Sequence, residues 1–425
     1  MNWLADKERV EEIRTLHYST REYYQDAPYE AIIPVEKAIN ITGMDEGHLK
    51  ANMLEYCGNL EMRTYKLTEA GGHYAKAEKL YRRIHFDLGL ANVLQAMGEL
   101  ERHTAKLAEA KGHYAEAEGL YRRIHFDLGL ANVLQAIGDL EIRTAKLAEA
   151  EGHYAEAEEL YCRIHDVLGF ANVLKAIGDL KMRTDKLAEA GGHYAKAEKL
   201  YRRIHDALGL ANVLKATGDL EIRTDKLAEA EGHYGEAERL YRRIHADLGL
   251  ANVLKAIGDL EMRSNKLTEA ERHYGEAERL YRRIHADLGL ANVLKATGDL
   301  GMRTDKLAEA EGHYAEAERL YSHIHADRVA FVNVLQATGD LEWHTDKLVD
   351  AEPQLRLGGG IVSPYQFAYR PCDVLSAMGN LEMRTNKLTE GHYVEAAELY
   401  RLIEDDIGLA NVLKAMGYYL DNKKD

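Results

Sequence analysis

The sequence is poor in several residue types that define other classes of protein. Its 425 residues include five prolines, five phenylalanines, two tryptophans and three cysteines. The cysteines, Cys57, Cys162 and Cys372, are odd in number and far apart in the chain. Neither a disulfide framework nor a zinc-ligand spacing follows from them, so a reducing compartment is the simpler expectation.

An excess of positive charge and long apolar runs are also missing. The formal net charge is −16, which should repel nucleic acid and anionic membranes. No apolar stretch reaches the length of a membrane-spanning helix. The first residues, from Met1 to Glu8, lack the apolar core of a signal peptide. We therefore expect a cytoplasmic protein with neither nucleic-acid nor membrane partners.

What the chain has in abundance is one helical pattern, seen clearly between Leu147 and Ile164. The apolar residues of this stretch follow one another at steps of three and four, which places them on one face of a helix. Most other positions are charged and suit a solvated face. The stripe is made of Leu147, Ala150, Tyr154, Ala157, Tyr161 and Ile164.

The pattern recurs every 40 residues. A glycine followed by an acidic residue or Asn and then by Leu returns at this spacing from Gly58 to Gly298, and again at Gly339 and Gly379 after one inserted residue. A period of this length is typical of solenoids built from stacked repeats.

Each repeat splits into two helices. In one repeat the first helix is predicted from about Gly169 to Arg183, with Asp166 as its N-cap. Residues 184–186 are predicted to turn the chain, and a second helix should run to about His205. Gly209 is expected to end and reverse that helix. Short connections of this kind force antiparallel packing, which predicts an all-α protein built of antiparallel helix pairs.

The repeat resembles the tetratricopeptide repeat in its long form of about 40 residues. Residues at the family's fixed offsets are Leu174, Ile177, Gly178, Leu187, Ala190, Tyr194 and Ala197. An aromatic residue that the family has after the glycine is Lys181 or Glu141 here, and the closing proline is missing. The resemblance, which extends to the arrays of kinesin light chains and of NTPase sensor arms, implies a right-handed α-solenoid, or superhelix.

The repeats suggest four regions along the chain. Residues 1–49 are interpreted as an irregular helical lead-in with a partial repeat, and residues 50–345 as the regular array. Residues 346–378 form a degenerate repeat, because Pro353, Pro364 and the run from Gly358 to Gly360 oppose a regular helix. Residues 379–425 are predicted to hold a final repeat and a capping helix.

No motif of catalytic chemistry is present. The phosphate-binding loop, the zinc-protease motif and the nucleophile elbow are all missing from the sequence. Histidines such as His153 and His165 lie 12 residues apart, about 18 Å along a helix, which is too far to share a metal ion. We therefore expect no catalytic residue, no metal site and no cofactor, and a protein that is not an enzyme.

The best candidate for function is a polar ridge on the first helix of each repeat. Its four positions are separated by three, four and four residues, which aligns them. In the resembling family this face lines the inner groove, where Asn and basic residues hold extended peptides. The predicted groove residues are Asn172, Lys175, Asp179 and Arg183, then Asn212, Lys215, Asp219 and Arg223, then Asn252, Lys255, Asp259 and Arg263, then Asn292, Lys295, Asp299 and Arg303.

The sequence therefore predicts an interaction scaffold that binds a protein or peptide in a concave groove. A second interpretation is the sensor arm of a STAND-type signalling NTPase that acts with a separate ATPase. A third is a degenerating duplicate, which the damaged repeat and the nearly identical copies permit. A bland alternative for the ridge is that its residues pair with one another and only solvate the surface.

Overall fold

The helices follow the 40-residue period. A computed structural model describes residues 47–324, together with Val334 and Ala337, and residues 47–324 form α-helices and turns without a strand. The first helix of each repeat, called here the A helix, is one of α1 (Gly47–Arg63), α3 (Asp87–His103), α5 (Asp127–Arg143), α7 (Val167–Arg183), α9 (Ala207–Arg223), α11 (Asp247–Arg263) and α13 (Asp287–Arg303). The second, the B helix, is one of α2 (Leu67–Arg83), α4 (Leu107–Arg123), α6 (Leu147–Arg163), α8 (Leu187–Ile204), α10 (Leu227–Arg243), α12 (Leu267–Arg283) and α14 (Leu307–Ile324).

The helix boundaries of the repeat at 167–206 agree with the sequence. Asp166 caps α7, because its carboxylate accepts from the amides of Leu168 and Gly169 at 3.1 and 3.2 Å. Residues 184–186 form the turn between α7 and α8. The carboxylate oxygen of the N-cap Asp166 satisfies amides of the first turn that have no partner inside the helix, and this fixes where α7 starts.

The predicted role of Gly209 is wrong. The turn before it places His205 in the left-handed region, with φ of 56°, and no described glycine has a positive φ. Gly209 lies instead in the first turn of α9, where a Cβ atom would overlap the ring of Tyr201. The glycine is therefore explained by the close approach of a tyrosine from the preceding helix.

The apolar stripes form the core. On α6, Ala150, Tyr154 and Ala157 are fully buried, and on α7 Val173 and Leu174 are fully buried too. Within the units, α3, α5, α7, α11 and α13 each pack against the B helix of their own repeat and against the preceding B helix. A helix pair on its own would leave one of these faces in water, so each repeat depends on its neighbours.

The chain divides after Gly209 into two units, which hold the described residues 47–209 and 210–324. In the first unit, α1, α3 and α5 each contact the next A helix, and in the second α11 contacts α13. Within either unit, the backbones of consecutive described B helices do not approach this closely, and long side chains such as Arg82 and Glu116 bridge the gap between them. The A helices therefore lie closer together than the B helices, as expected for the inner side of a curved array.

These observations confirm an all-α array of helix pairs over the described residues. The right-handed superhelix stays a prediction, as does the division into four regions; the lead-in before residue 47, the degenerate repeat and the final repeat lie outside the described residues. In the part of the chain that the structure describes, no helix is both long and apolar enough to span a bilayer.

Candidate functional site

The predicted ridge lies on the solvent side of the A helices. On α7, Asn172, Lys175 and Asp179 are half-buried and Arg183 is exposed, and the equivalent positions of α9, α11 and α13 are exposed or half-buried. Helical periodicity puts these positions in a row, while the apolar residues between them point into the core. We call this row the A ridge.

The asparagines of the A ridge hold tyrosines of the B helices. The hydroxyl of Tyr201 on α8 donates to Oδ1 of Asn172 at 2.6 Å. A tyrosine buried among apolar residues needs a partner for its hydroxyl, and the asparagine carbonyl supplies one. The side-chain amide nitrogen of Asn172 has no partner among the described residues, so it can donate to a ligand. The same bond joins Asn212 to Tyr241, Asn252 to Tyr281 and Asn292 to Tyr321, at 2.6–2.7 Å.

The lysines and aspartates of the ridge pair with each other. Lys175 Nζ lies 2.6 Å from Asp179 Oδ2, and the other oxygen of Asp179 accepts from the hydroxyl of Tyr194 at 2.8 Å. Equivalent lysine–aspartate pairs at 2.6–2.7 Å recur on α9, α11 and α13. The pairing that the bland alternative requires is therefore present. It offsets the lysine charge locally, so the arginines are the ridge cations that no ridge aspartate neutralises on α7 and α11.

The arginines differ from one another. Arg183 and Arg263 are exposed and make no hydrogen bond or ion pair with another described residue. Arg303 instead reaches the preceding repeat, donating to the carbonyl of Met262 at 2.6 Å and to Asn265 at 3.0 Å. Arg223 has contacts of its own. Arg183 and Arg263 are thus the ridge cations with most freedom to bind a partner.

In the second unit a pocket of about 380 Å³ brings ridge residues of two repeats together. It lies between α11 and α13, and its polar and charged groups come from both helices. The predicted residues that line it are Lys255, Asp259, Arg263, Asn292, Lys295 and Asp299, joined by Met262, Tyr274, Ala296 and Tyr321. Sequence reasoning missed the tyrosines, although their spacing of 29 residues from the asparagine and 15 residues from the aspartate, which recurs from Asn172 onward, was a signal.

The ridge changes chemically toward the start of the array. The lysine position is occupied by Glu55, Gln95 and Gln135 on α1, α3 and α5. Asp139, which follows Gln135, accepts from Tyr154 at 2.6 Å, and burial raises the pKa of its carboxyl. Because Gln135 stands where other repeats have a lysine, no ion pair one turn away offsets the cost of desolvating this carboxylate. The ridge is therefore less uniform than the repeat pattern suggests.

The recurring histidines have structural partners. His153 Nδ1 lies 2.7 Å from the buried carboxylate of Glu141, 12 residues earlier on the paired helix. Four other repeats have the same bond. His193 is different, because Lys181 replaces the glutamate, and burial lowers the pKa of its ring. No group of three or more possible metal ligands occurs among the described residues.

Comparison with known proteins identifies the repeat. Residues 169–243 match the family model of the tetratricopeptide repeat. No curated protein sequence matches the chain significantly.

Solved structures share the fold at low sequence identity. Aspartyl phosphate phosphatase F from Bacillus subtilis is similar with a TM-score of 0.55 and 10% identity, covering 84% of this chain and 97% of its own. A Rap protein complexed with competence and sporulation factor gives 0.53 and 14%, covering 81% and 99%. The apo form of RapI gives 0.52 and 12%, covering 65% and 100%. At these identities the likeness concerns the fold alone.

Proposed function

Because the described part of this chain is an array of tetratricopeptide repeats, we propose that it is a non-enzymatic scaffold whose A ridge binds a protein or peptide segment. The observation that supports this most is the pocket between α11 and α13, where six predicted ridge residues from two repeats meet. Stacked repeats present extended surfaces of this kind, and a partner that follows the ridge can use the same contacts in each repeat.

The chemistry of the ridge favours an extended segment. The amide nitrogens of Asn252 and Asn292 have no partner among the described residues and can donate to backbone carbonyls. Arg263 adds a cation that is free to form a charge-assisted hydrogen bond. A similar structure, the Rap protein, is complexed with a factor, so a related fold is compatible with a bound partner.

The proposal places the protein in the cytoplasm, without nucleic acid or membrane as a partner. The sensor-arm alternative uses the same repeats but requires a separate ATPase that co-purifies with the chain. No described feature favours that alternative, so the scaffold is the function that we propose.

The test is a binding measurement with a selected peptide. Random peptides displayed on phage are selected on the immobilised full-length chain, and a selected peptide is titrated by calorimetry into the wild type and Arg263→Ala. We expect Arg263→Ala to weaken binding by about tenfold, since a hydrogen bond from a charged group contributes roughly 1.5–3 kcal/mol. Alanine at the ridge asparagines is less informative, because it removes the acceptor of a buried tyrosine hydroxyl.

The matched control is Arg243→Ala, at the end of α10 in the same unit. Arg243 is exposed, lies outside the ridge and has no ion-pair partner among the described residues. Its substitution should leave the affinity unchanged. Equal affinity for wild type and Arg263→Ala, or equal losses in both variants, would contradict binding at the ridge.

A further inference from the structure

The side of the array away from the A ridge carries a regular ladder of ion pairs with one break in it. Arg82 on α2 lies 2.7 Å from Glu116 on α4, and Arg122 on α4 lies 2.6 Å from Glu156 on α6. The next step of the ladder, from α6 to α8, would use residues 162 and 196. These are Cys162 and Lys196, so the step is missing.

Opposite charges are left on the two helices at the break. Glu159 on α6 and Lys196 and Lys199 on α8 are exposed, and none forms an ion pair with another described residue. The helices are neighbours in the first unit, because Lys181 of α7 binds Glu151 of α6 at 2.7 Å and Glu189 of α8 at 3.0 Å. An acidic strip and a basic strip therefore lie side by side without neutralising each other.

The two strips occupy equivalent positions of consecutive repeats. Residues 159 and 199 are one period apart, as are residues 156 and 196, so each pair stands at the same level on its helix. Consider a two-fold axis that runs parallel to the helices, in front of their outer faces and midway between α6 and α8. It would set α6 of one copy against α8 of the other. Each glutamate would then face the lysine of the other copy, which is the self-complementary pattern of an isologous interface.

The glutamate and lysine at residues 159 and 199 have no equivalent among the described repeats, whereas α2 and α4 also carry Lys76 and Glu116 at the positions of residues 196 and 156. The position of Glu159 is held in the other B helices by Lys79, Gly119, Lys199, Arg239, Arg279 and Arg319. Within the first unit, the same two-fold operation applied to α2 and α4 would place Lys79 opposite a glycine. Applied to α4 and α6, it would place a glycine opposite Glu159. In the second unit, α10, α12 and α14 all carry arginine there, so the same operation would place like charges together.

We propose that the outer faces of α6 and α8 form a two-fold contact between two copies of this chain, with Glu159 of each copy facing Lys199 of the other. Lys196 would face Glu156, whose charge Arg122 already offsets in part. Arg163 would approach Arg203 in this arrangement, but Arg163 is already paired with Asp127 at 2.8 Å, which offsets its charge. The contact depends on exposed charges, so it forms at low ionic strength and weakens as salt screens it. It leaves the A ridge uncovered and does not depend on the function proposed for that ridge.

Sedimentation velocity of the full-length protein over a concentration series tests the contact. The wild type dimerises at an ionic strength of about 0.03 M and dissociates at about 0.5 M, where the screening length falls to a few ångströms. Lys199→Glu and Glu159→Lys each place like charges opposite each other, and each weakens dimerisation at least tenfold, or about 1.4 kcal/mol. The double variant Glu159→Lys with Lys199→Glu exchanges the charges and restores the dimer.

Lys79→Glu is the matched control, because it makes the same change at the equivalent position of α2, where Gly119 of α4 stands in place of a glutamate. It leaves dimerisation unchanged, and circular dichroism verifies that all variants keep their helicity. A wild type that is monomeric at low salt overturns the proposal, whatever else binds this surface. So does a folded double variant that stays monomeric, or a single reversal that dimerises as the wild type does.

Discussion

At the scale of single residues, the environment of a ridge aspartate depends on the side chain four positions before it. Asp179 has Lys175 at 2.6 Å, whereas Asp139 has Gln135 at that position. Burial raises the pKa of the Asp139 carboxyl, so the folded protein disfavours its anion more than the unfolded chain does. Protonated Asp139 therefore contributes stability that is full below the unfolded pKa and lost as the pH rises through the folded pKa.

Asp139→Asn should consequently raise the free energy of unfolding at neutral pH, because the neutral amide avoids the desolvation of a carboxylate and its oxygen still accepts from Tyr154. The gain should shrink as the pH falls and the wild-type carboxyl becomes protonated. Urea unfolding of both proteins at neutral pH and at about pH 4 measures the difference.

Asp179→Asn is the control for this prediction. It removes the ion pair with Lys175, so it should be neutral or cost up to about 1 kcal/mol at neutral pH. If Asp139→Asn destabilises the protein as much as Asp179→Asn does, the missing lysine does not explain the difference between the two sites.

At the scale of helices, glycine has two different roles in one repeat. Gly178 of α7 lies against the ring of Tyr194 on α8, and a Cβ atom there would overlap that ring. Gly192 of α8 faces open space, with no atom within 4 Å of an added Cβ. The first glycine sets the distance between paired helices, and the second only weakens its helix.

The same substitution should therefore have opposite effects at the two positions. Gly178→Ala should destabilise the protein by about 1–3 kcal/mol, because a buried aromatic ring must move. Gly192→Ala should stabilise it by about 0.5–1 kcal/mol through helix propensity. Thermal or urea unfolding of the two variants measures the signs, and a shift in the same direction for both would refute the packing explanation.

The sequence predicted the helices better than the reasons for their glycines. Apolar periodicity placed α6 and α7 correctly, and Asp166 revealed where α7 begins, because both signals act within a few residues. Gly209 was assigned to a turn because glycine commonly ends helices. Its true neighbour is Tyr201 on the preceding helix, and that contact depends on how two helices pack rather than on local propensity.

At the scale of the whole molecule, the period of 40 residues predicted the architecture, since each helix pair completes its core with its neighbours. The A ridge was identified from spacing alone, but the structure adds that its asparagines, lysines and aspartates already have partners within the repeat. Asn172 holds Tyr201, and Lys175 holds Asp179. Sequence periodicity aligned the ridge residues, and it could not show which of their donors stay free, because that depends on tyrosines 15 and 29 residues away.

Amide hydrogen exchange tests the central claim, that the A helices form the binding surface, most directly. The full-length chain is measured alone and with a peptide selected on it. We expect the peptide to slow exchange most in α11 and α13, which contribute eight of the ten residues that line the pocket, and less in α12 and α14, which contribute one tyrosine each. Slower exchange confined to the B helices, with α11 and α13 unchanged, would contradict the account.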